Sequence, residues 1–207
     1  MQQFTIRGID PQKDTLEYYQ SNAKKFFDET VSIDLTDLYL PFLERLPETG
    51  MILDAGCGSG RDTRFFLRQG FEVVAFDNSP EMVKLASDFT GQDCLLLSFD
   101  DIRFENRFDG VWACASLLHV PRRNMITVLN RLCTALKHGG ILYTSFKYGH
   151  DEVFKNGRLF SNFDEASFNA VLSDQKQLNM VKFWKTSDVR PGREQEKWLN
   201  VLLKKKQ

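Results

Sequence analysis

Apolar residues recur along this chain with two different periods, and the switches between them divide it into alternating strands and helices. Met51 to Ala55 is a short apolar run broken only by Asp54, and Phe71 to Phe76 is a second that ends in Asp77. Further short runs lie at Cys94–Ser98, Phe108–Ala113 and Ile141–Phe146. Runs of this kind, apolar on both faces, suit parallel strands covered on both sides. Between them the spacing becomes helical. Asp62 to Gln69 is closed by Gly70, and a helix to Phe89 is closed by Gly91, with Ser79 as N-cap and Pro80 at the first helical position. From Arg122 to Lys137, Ile126, Leu129, Leu132 and Leu136 share one face, and His138 before Gly139-Gly140 reads as a cap residue at the helix end.

The flanks extend the pattern. Tyr18, Tyr19, Ala23, Phe26 and Phe27 predict a first helix capped by Asp14 or Thr15, and a second helix runs from about Asp34 to Leu46 before Pro47 and Gly50. After Phe146 a polar loop spans Lys147 to Arg158; a helix at Phe163–Leu172 and strands at Asn179–Thr186 and Trp198–Lys204 follow. The order of elements predicts an α/β, Rossmann-like doubly wound sheet of about seven strands, mostly parallel, with helices on both faces.

Composition narrows the class without changing it. A chain of 207 residues suits one domain with a full core. Net charge is −1, with residues 1–50 leaning acidic and residues 151–207 leaning basic. That balance does not advertise a nucleic-acid-binding face, but it leaves room for an anionic group near the C-terminal part. Cys57, Cys94, Cys114 and Cys133 lack the paired spacing of a zinc site or redox motif, so buried free thiols in a reducing cytosol are expected, and no metal. No apolar run approaches ~18 residues and no signal-peptide pattern opens the chain, which predicts a soluble cytoplasmic protein without membrane contact.

Candidate chemistry concentrates where the first strand ends. Gly56, Gly58 and Gly60 stand at alternate positions between that strand and a helix, a place where Cβ atoms would block a tight turn and close approach of a ligand. The helix start adds unpaired N–H groups, so the unit reads as a nucleotide-cofactor cradle. The dinucleotide fingerprint would put glycine at position 61, where Arg61 stands, and this disfavours NAD. Asp77 lies about 20 residues beyond the glycines, where a carboxylate can accept from both hydroxyls of a ribose.

Asp54-x-Gly56-Cys57-Gly58-x-Gly60-Arg61, with Asp77-Asn78 after the second strand, resembles the class I S-adenosylmethionine (SAM)-dependent methyltransferases. The resemblance is strong from Met51 to Phe146 and holds in outline elsewhere. It implies one methyltransferase domain: an N-terminal helical lid over 1–50, a cofactor-binding core over 51–146, and an acceptor-side loop, helix and final strands over 147–207, the last strand antiparallel. It implies SAM as cofactor, S-adenosylhomocysteine as product, and Asp54, Gly56, Cys57, Gly58, Gly60, Arg61, Asp77 and Asn78 at the cofactor. Either Asp100 or Asp101 is expected at the adenine, with preference for Asp101. Tyr18, on the N-terminal helix, is expected over the cofactor, or alternatively packs that helix on the sheet. The segment Cys114 to Pro121 resembles the loop after the family's fourth strand, with Ala115 and Ser116 beside the cofactor. His119 is expected either as general base or as the residue that orders this loop. Gly60-Arg61 and Gly70-Phe71-Glu72-Val73 look like the tellurite-resistance type of the family. Lys147, Tyr148, Arg158, Arg190 and Arg193 are candidate acceptor-binding residues, the alternative being a solvated charged loop, because arginine forks suit a carboxylate or phosphate. A small-molecule acceptor is expected, the alternatives being methylation of a nucleic acid or protein, or a non-catalytic SAM-binding subunit.

Overall fold

The computed structural model of the protein describes residues 10–207, so the first nine residues of the expected lid lie outside the described residues. Helix α1 (Pro11–Thr30) and helix α2 (Thr36–Leu43) precede strand β1 (Met51–Ala55). Then follow α3 (Arg61–Arg68), β2 (Glu72–Asp77), α4 (Pro80–Thr90), β3 (Leu95–Leu96), β4 (Phe108–Ala113), α5 (Arg122–Ala135) and β5 (Leu136–Lys147). The C-terminal part adds β6 (Glu152–Lys155), β7 (Arg158–Ser161), α6 (Glu165–Leu172), β8 (Leu178–Ser187) and β9 (Lys197–Lys205). Seven strands form one sheet in the order β3-β2-β1-β4-β5-β9-β8, and β6 pairs with β7 in a separate hairpin. Within this sheet β9 alone is reversed, pairing antiparallel with β5 and with β8. This is the Rossmann-like doubly wound sheet, with an antiparallel last strand, expected from the sequence.

Burial alternates along the central strands and sorts their side chains onto two faces. Leu53, Val111, Leu142 and Leu203 enter one core with α5 and α6, whereas Ile52, Trp112, Tyr143 and Leu202 enter the other with Phe42 and Phe66 from α2 and α3. Trp112 stacks on Tyr143 at 3.9 Å between ring centroids. At Gly110 a Cβ would lie 2.5 Å from the Phe42 ring, so α2 reaches the sheet only because β4 carries no side chain there. Strand β1 lies between β2 and β4, and after β3 the chain crosses back over β1 to start β4, so the strand order reverses there; the crevice at the carboxyl ends of β1 and β4 is where open α/β sheets bind ligands.

Several local expectations are corrected. Helix α1 starts at Pro11 with Asp10 as its N-cap, the carboxylate accepting from the N–H groups of Gln12 and Lys13. Asp14 is therefore inside the first turn, and Thr15 is buried. Helix α5 ends at Ala135, and His138 lies in β5, a ring nitrogen 3.2 Å from the Lys206 carbonyl oxygen, so it caps no helix. Strand β3 has two residues, and Leu95 and Leu96 are exposed because it forms the sheet edge. The expected polar loop from 147 to 158 contains the start of the β6–β7 hairpin. Its turn is Asn156-Gly157 with φ of 52° and 74°, the left-handed pair of a two-residue hairpin turn.

Candidate active site

A cavity of about 700 Å³ opens at the carboxyl end of the sheet. Its floor is the glycine loop between β1 and α3. Gly56 and Cys57 donate their N–H groups to the Phe76 carbonyl at 3.0 and 2.8 Å, tying the loop to β2. Gly56 has φ +81°, and a Cβ there would lie 2.6 Å from Ser116 Cβ, so the loop also seats against the connection after β4. Gly58, with φ +53°, borders the cavity, and a Cβ on it would meet only the Phe26 ring, at 3.3 Å.

Asp77 closes β2 beside this loop. Its Oδ2 accepts from Gly58 N at 3.0 Å and its Oδ1 from Ser79 N at 2.9 Å. Burial pushes the carboxyl above its usual range, against the N–H groups of Ser79, Gly58 and Asn78, which favour the anion. Asp77 and Asn78 both line the cavity. Of the two aspartates expected near an adenine, Asp100 lines the cavity, whereas Asp101 accepts from Ser98 Oγ and is not among the lining residues. The preference for Asp101 is thus corrected: the turn at 99–101 places its neighbour on the inner side.

Beneath the loop lies a buried polar network. Asp62 accepts from Arg61 Nε at 2.6 Å and Nη2 at 3.0 Å, from Tyr39 Oη at 2.6 Å and from Trp112 Nε1 at 2.8 Å. Burial opposes its charge, but the Arg61 guanidinium and these donors outweigh it and hold the carboxyl below its usual value. Arg61 remains at the cavity wall with its fork fixed. Asp54 faces away from the cavity and accepts from Thr63 Oγ1 at 2.6 Å; burial and the neighbouring Asp62 push its carboxyl well above the usual range. Asp54 braces the first turn of α3 where direct cofactor contact was expected.

The connection after β4 forms the next wall. Ala115 adopts φ +50°, unusual for a residue with a Cβ, and its N–H donates to Ser145 Oγ at 2.9 Å. Ser116 Oγ donates to the Ala55 carbonyl at 2.6 Å. His119 follows with both ring nitrogens engaged. The Leu159 carbonyl, 2.6 Å from Nδ1, can only accept, so Nδ1 carries the proton and Nε2 accepts from Tyr19 Oη at 2.8 Å. Burial drives its pKa down to about 4, and the charges of Arg158 and Lys147 act in the same direction while the Leu159 carbonyl opposes them.

A histidine lowered from about 6.5 to about 4 contributes stability that is complete above pH ~6.5 and is lost as pH falls toward 4, at most about 3 kcal/mol. Denaturant unfolding at pH 7 and pH 4.5 is expected to show a larger acid loss for the native chain than for His119→Gln, whose side chain has no such proton to take up. Equal losses would mean that His119 stays accessible and titrates normally.

The place over the cavity expected for Tyr18 is held by its neighbour Tyr19. Tyr19 lines the cavity, while Tyr18, one residue and about 100° round the helix, turns to the hairpin, where Arg158 stacks over its ring at 4.1 Å. Lys147, Arg190 and Arg193 all line the cavity. Lys147 pairs with Glu196, and Arg190 is forked onto Asp188, with Nε 2.9 Å from Oδ1. Tyr148 is corrected: it is exposed, donates to Glu165 Oε2 at 2.9 Å and lies outside the cavity. Sequence reasoning missed Tyr39, Asp62 and Trp112, which are joined only by the fold, and also Phe160 and Trp198 on the cavity wall. Cys57 and Cys114 line the cavity, and all four cysteines are free.

Comparison with known proteins finds relatives and solved structures of one kind. Residues 52–140 match the family described as a methyltransferase domain. A putative methyltransferase, YqeM of Bacillus subtilis (strain 168), is 30% identical over 162 residues, which are 72% of this chain and 64% of the relative. A ubiquinone biosynthesis O-methyltransferase of Xanthomonas campestris pv. campestris (strain B100) is 33% identical over 101 residues, 45% of this chain and 41% of that one. The chain thus spans about two-fifths to two-thirds of the length of these relatives. Among solved structures, the fold is shared with the Burkholderia thailandensis 1,6-didemethyltoxoflavin-N1-methyltransferase bound to 1,6-didemethyltoxoflavin and S-adenosylhomocysteine. That match has a TM-score of 0.76 at 23% identity and covers 98% of this chain and 93% of that one. Residues 52–140 thus match a methyltransferase domain, and over most of its length the chain is similar to class I SAM-dependent methyltransferases.

Proposed function

We propose that this protein transfers the methyl group of SAM to a nucleophilic atom of a small molecule held in the same cavity. The observation that carries the reading is Gly58 at the cavity floor, a site where a side chain would intrude, hydrogen-bonded to the Asp77 carboxylate at the sheet's switch point. The residues present fit SAM. Asp77 has lone pairs left for a ribose, Asp100 borders the cavity for an amino group, and Arg61, fixed by Asp62, offers a cation to a carboxylate. SAM, when bound, supplies a methyl already activated by its sulfonium. The chain's task is then to hold donor and acceptor in line and exclude water.

Helix α1, the β6–β7 hairpin and the β8–β9 connection wall the rest of the cavity, and in this reading they act as the acceptor side and lid. His119 orders this wall: its proton rests on Nδ1 toward Leu159, and its Nε2 is taken by Tyr19. With no free base there, the acceptor atom brings its own lone pair or enters ionised. The relative named for ubiquinone biosynthesis supports a small acceptor. The likeness to the tellurite-resistance type concerns the donor loop and leaves the acceptor to the other wall. Among the described residues no helix is long and apolar enough to cross a membrane, and with four free cysteines we assign the protein to the cytosol.

Incubation with methyl-labelled SAM and fractionated cell extract tests the reading: label is expected in small molecules, and label confined to nucleic acid or protein would overturn it. Asp77→Ala is expected to weaken SAM binding by about 1.5–3 kcal/mol, the scale of hydrogen bonds to a charged group, while leaving the fold intact. Unchanged affinity by titration calorimetry would remove Asp77 from the ribose.

A further inference from the structure

The cations around the cavity are not equivalent. Arg61 is forked onto Asp62, Lys147 is paired with Glu196, and Arg190 is forked onto Asp188. Arg158, at the first position of β7, has no carboxylate partner among the described residues, although its guanidinium lines the same cavity. Its Nε is buried without a hydrogen bond. What surrounds it is aromatic: the group lies 4.1 Å from the Tyr18 ring centroid, 5.2 Å from that of Phe160 and 5.9 Å from that of Tyr19. The Tyr19 hydroxyl can take one of its N–H donors, and ring faces attract a cation but accept little from the rest, so a guanidinium held this way retains donors for a ligand or water.

We propose that Arg158 selects the acceptor, and that the molecule methylated is a planar, aromatic-type compound carrying an oxyanion that pairs with this guanidinium. The anion follows from the unpaired fork, whose geometry matches a carboxylate or phosphate with two parallel hydrogen bonds. Planarity follows from the wall: Phe26, Tyr19, Phe160 and Trp198 offer ring faces and edges to a flat molecule, the surfaces that aromatic ligands stack against. Arg158 stands close to Tyr19 and His119 in the same wall, so an anion seated on it holds the remainder of the molecule against the connection after β4. Arg193, on the β8–β9 connection, is a second cavity cation without a partner among the described residues, and extends the same preference toward the rim.

The inference rests on the methyl-transfer reading for the use of the site, but not for its binding chemistry. The test is calorimetric titration of the full chain, with and without saturating S-adenosylhomocysteine, using three probes: 4-hydroxybenzoate, phenyl phosphate and the neutral 4-hydroxybenzamide. At least one anion is expected to bind about 10-fold or more tightly than the amide, and which one separates carboxylate from phosphate recognition. Arg158→Gln is expected to bring anion and amide within about 2-fold of each other, with S-adenosylhomocysteine affinity unchanged. If Arg158→Gln does not fold, Arg158→Lys carries the test: it keeps the charge, loses the fork, and is expected to lower the anion preference about 3-fold. Absence of any anion preference in the native chain, or its persistence in the variant, overturns the proposal. Failure of S-adenosylhomocysteine itself to bind overturns the donor-site reading instead, and the titrations without it still report on Arg158.

Discussion

Replacing Asp62 with Ala is expected to destabilise the fold by about 3–5 kcal/mol, the cost of breaking a buried ion pair by removing one partner. Four donors converge on this carboxylate, from Arg61, Tyr39 and Trp112, and all belong to buried or half-buried groups. Its removal leaves the Arg61 guanidinium without its fork beside the cavity and a phenol and an indole N–H unmet in the core between α2, α3 and β4. One effect works the other way. Asp54 is pushed up partly by the charge of Asp62, and in the variant it ionises more readily, offsetting some of the loss. Urea unfolding at pH 7 measures the balance. A loss below about 1 kcal/mol would mean that water or rearrangement satisfies Arg61 and that the network does not hold the loop. SAM affinity is expected to fall as well, since Arg61 is then no longer held at the cavity wall.

Gly58→Val is expected to remove SAM binding, a loss of more than about 100-fold. The backbone there has φ +53°, a conformation that costs an L-residue roughly 1–2 kcal/mol and a β-branched one more. The new side chain also lies where the cofactor must approach, with its Cβ 3.3 Å from the Phe26 ring. Gly58 carries this test better than Gly56, where a Cβ 2.6 Å from Ser116 would damage the junction of β1 and β4 together with the site.

The parts of this molecule legible from sequence are those determined locally. Strand, glycine turn and helix follow one another within a few residues around Gly58, so their order and spacing pointed to a cofactor cradle and to Asp77. The Ser79 cap with Pro80 was read for the same reason, and the structure has Met82 N donating to Ser79 Oγ at 3.3 Å. Asn156-Gly157 was an equally local signal and was overlooked, because each flanking arm, Glu152–Lys155 and Arg158–Ser161, holds only one adjacent apolar pair, without the alternation of a strand, in a segment that reads as polar. Side-chain direction was harder. Tyr18 and Tyr19 differ by one residue in sequence and by the whole wall of the cavity in space, and no periodicity count on a helix aromatic on several sides resolves that rotation. The Asp62 network joins residues up to 50 positions apart, so it exists only once β4 lies beside β1. Arg190, a candidate acceptor residue, is forked onto Asp188 two positions before it, a local pairing the loop composition did not reveal, while Arg158, also a candidate for the acceptor pocket, has no carboxylate partner among the described residues.

The central claim is that the cavity above the glycine loop is a SAM site, and titration calorimetry of SAM and S-adenosylhomocysteine into the native chain and into Gly58→Val tests it most directly, with circular dichroism to show that both are folded. One saturable site per chain is expected in the native protein, shared by the two ligands and absent from the folded variant. A native chain that binds neither ligand, or a folded Gly58→Val that binds SAM as the native chain does, would contradict the account.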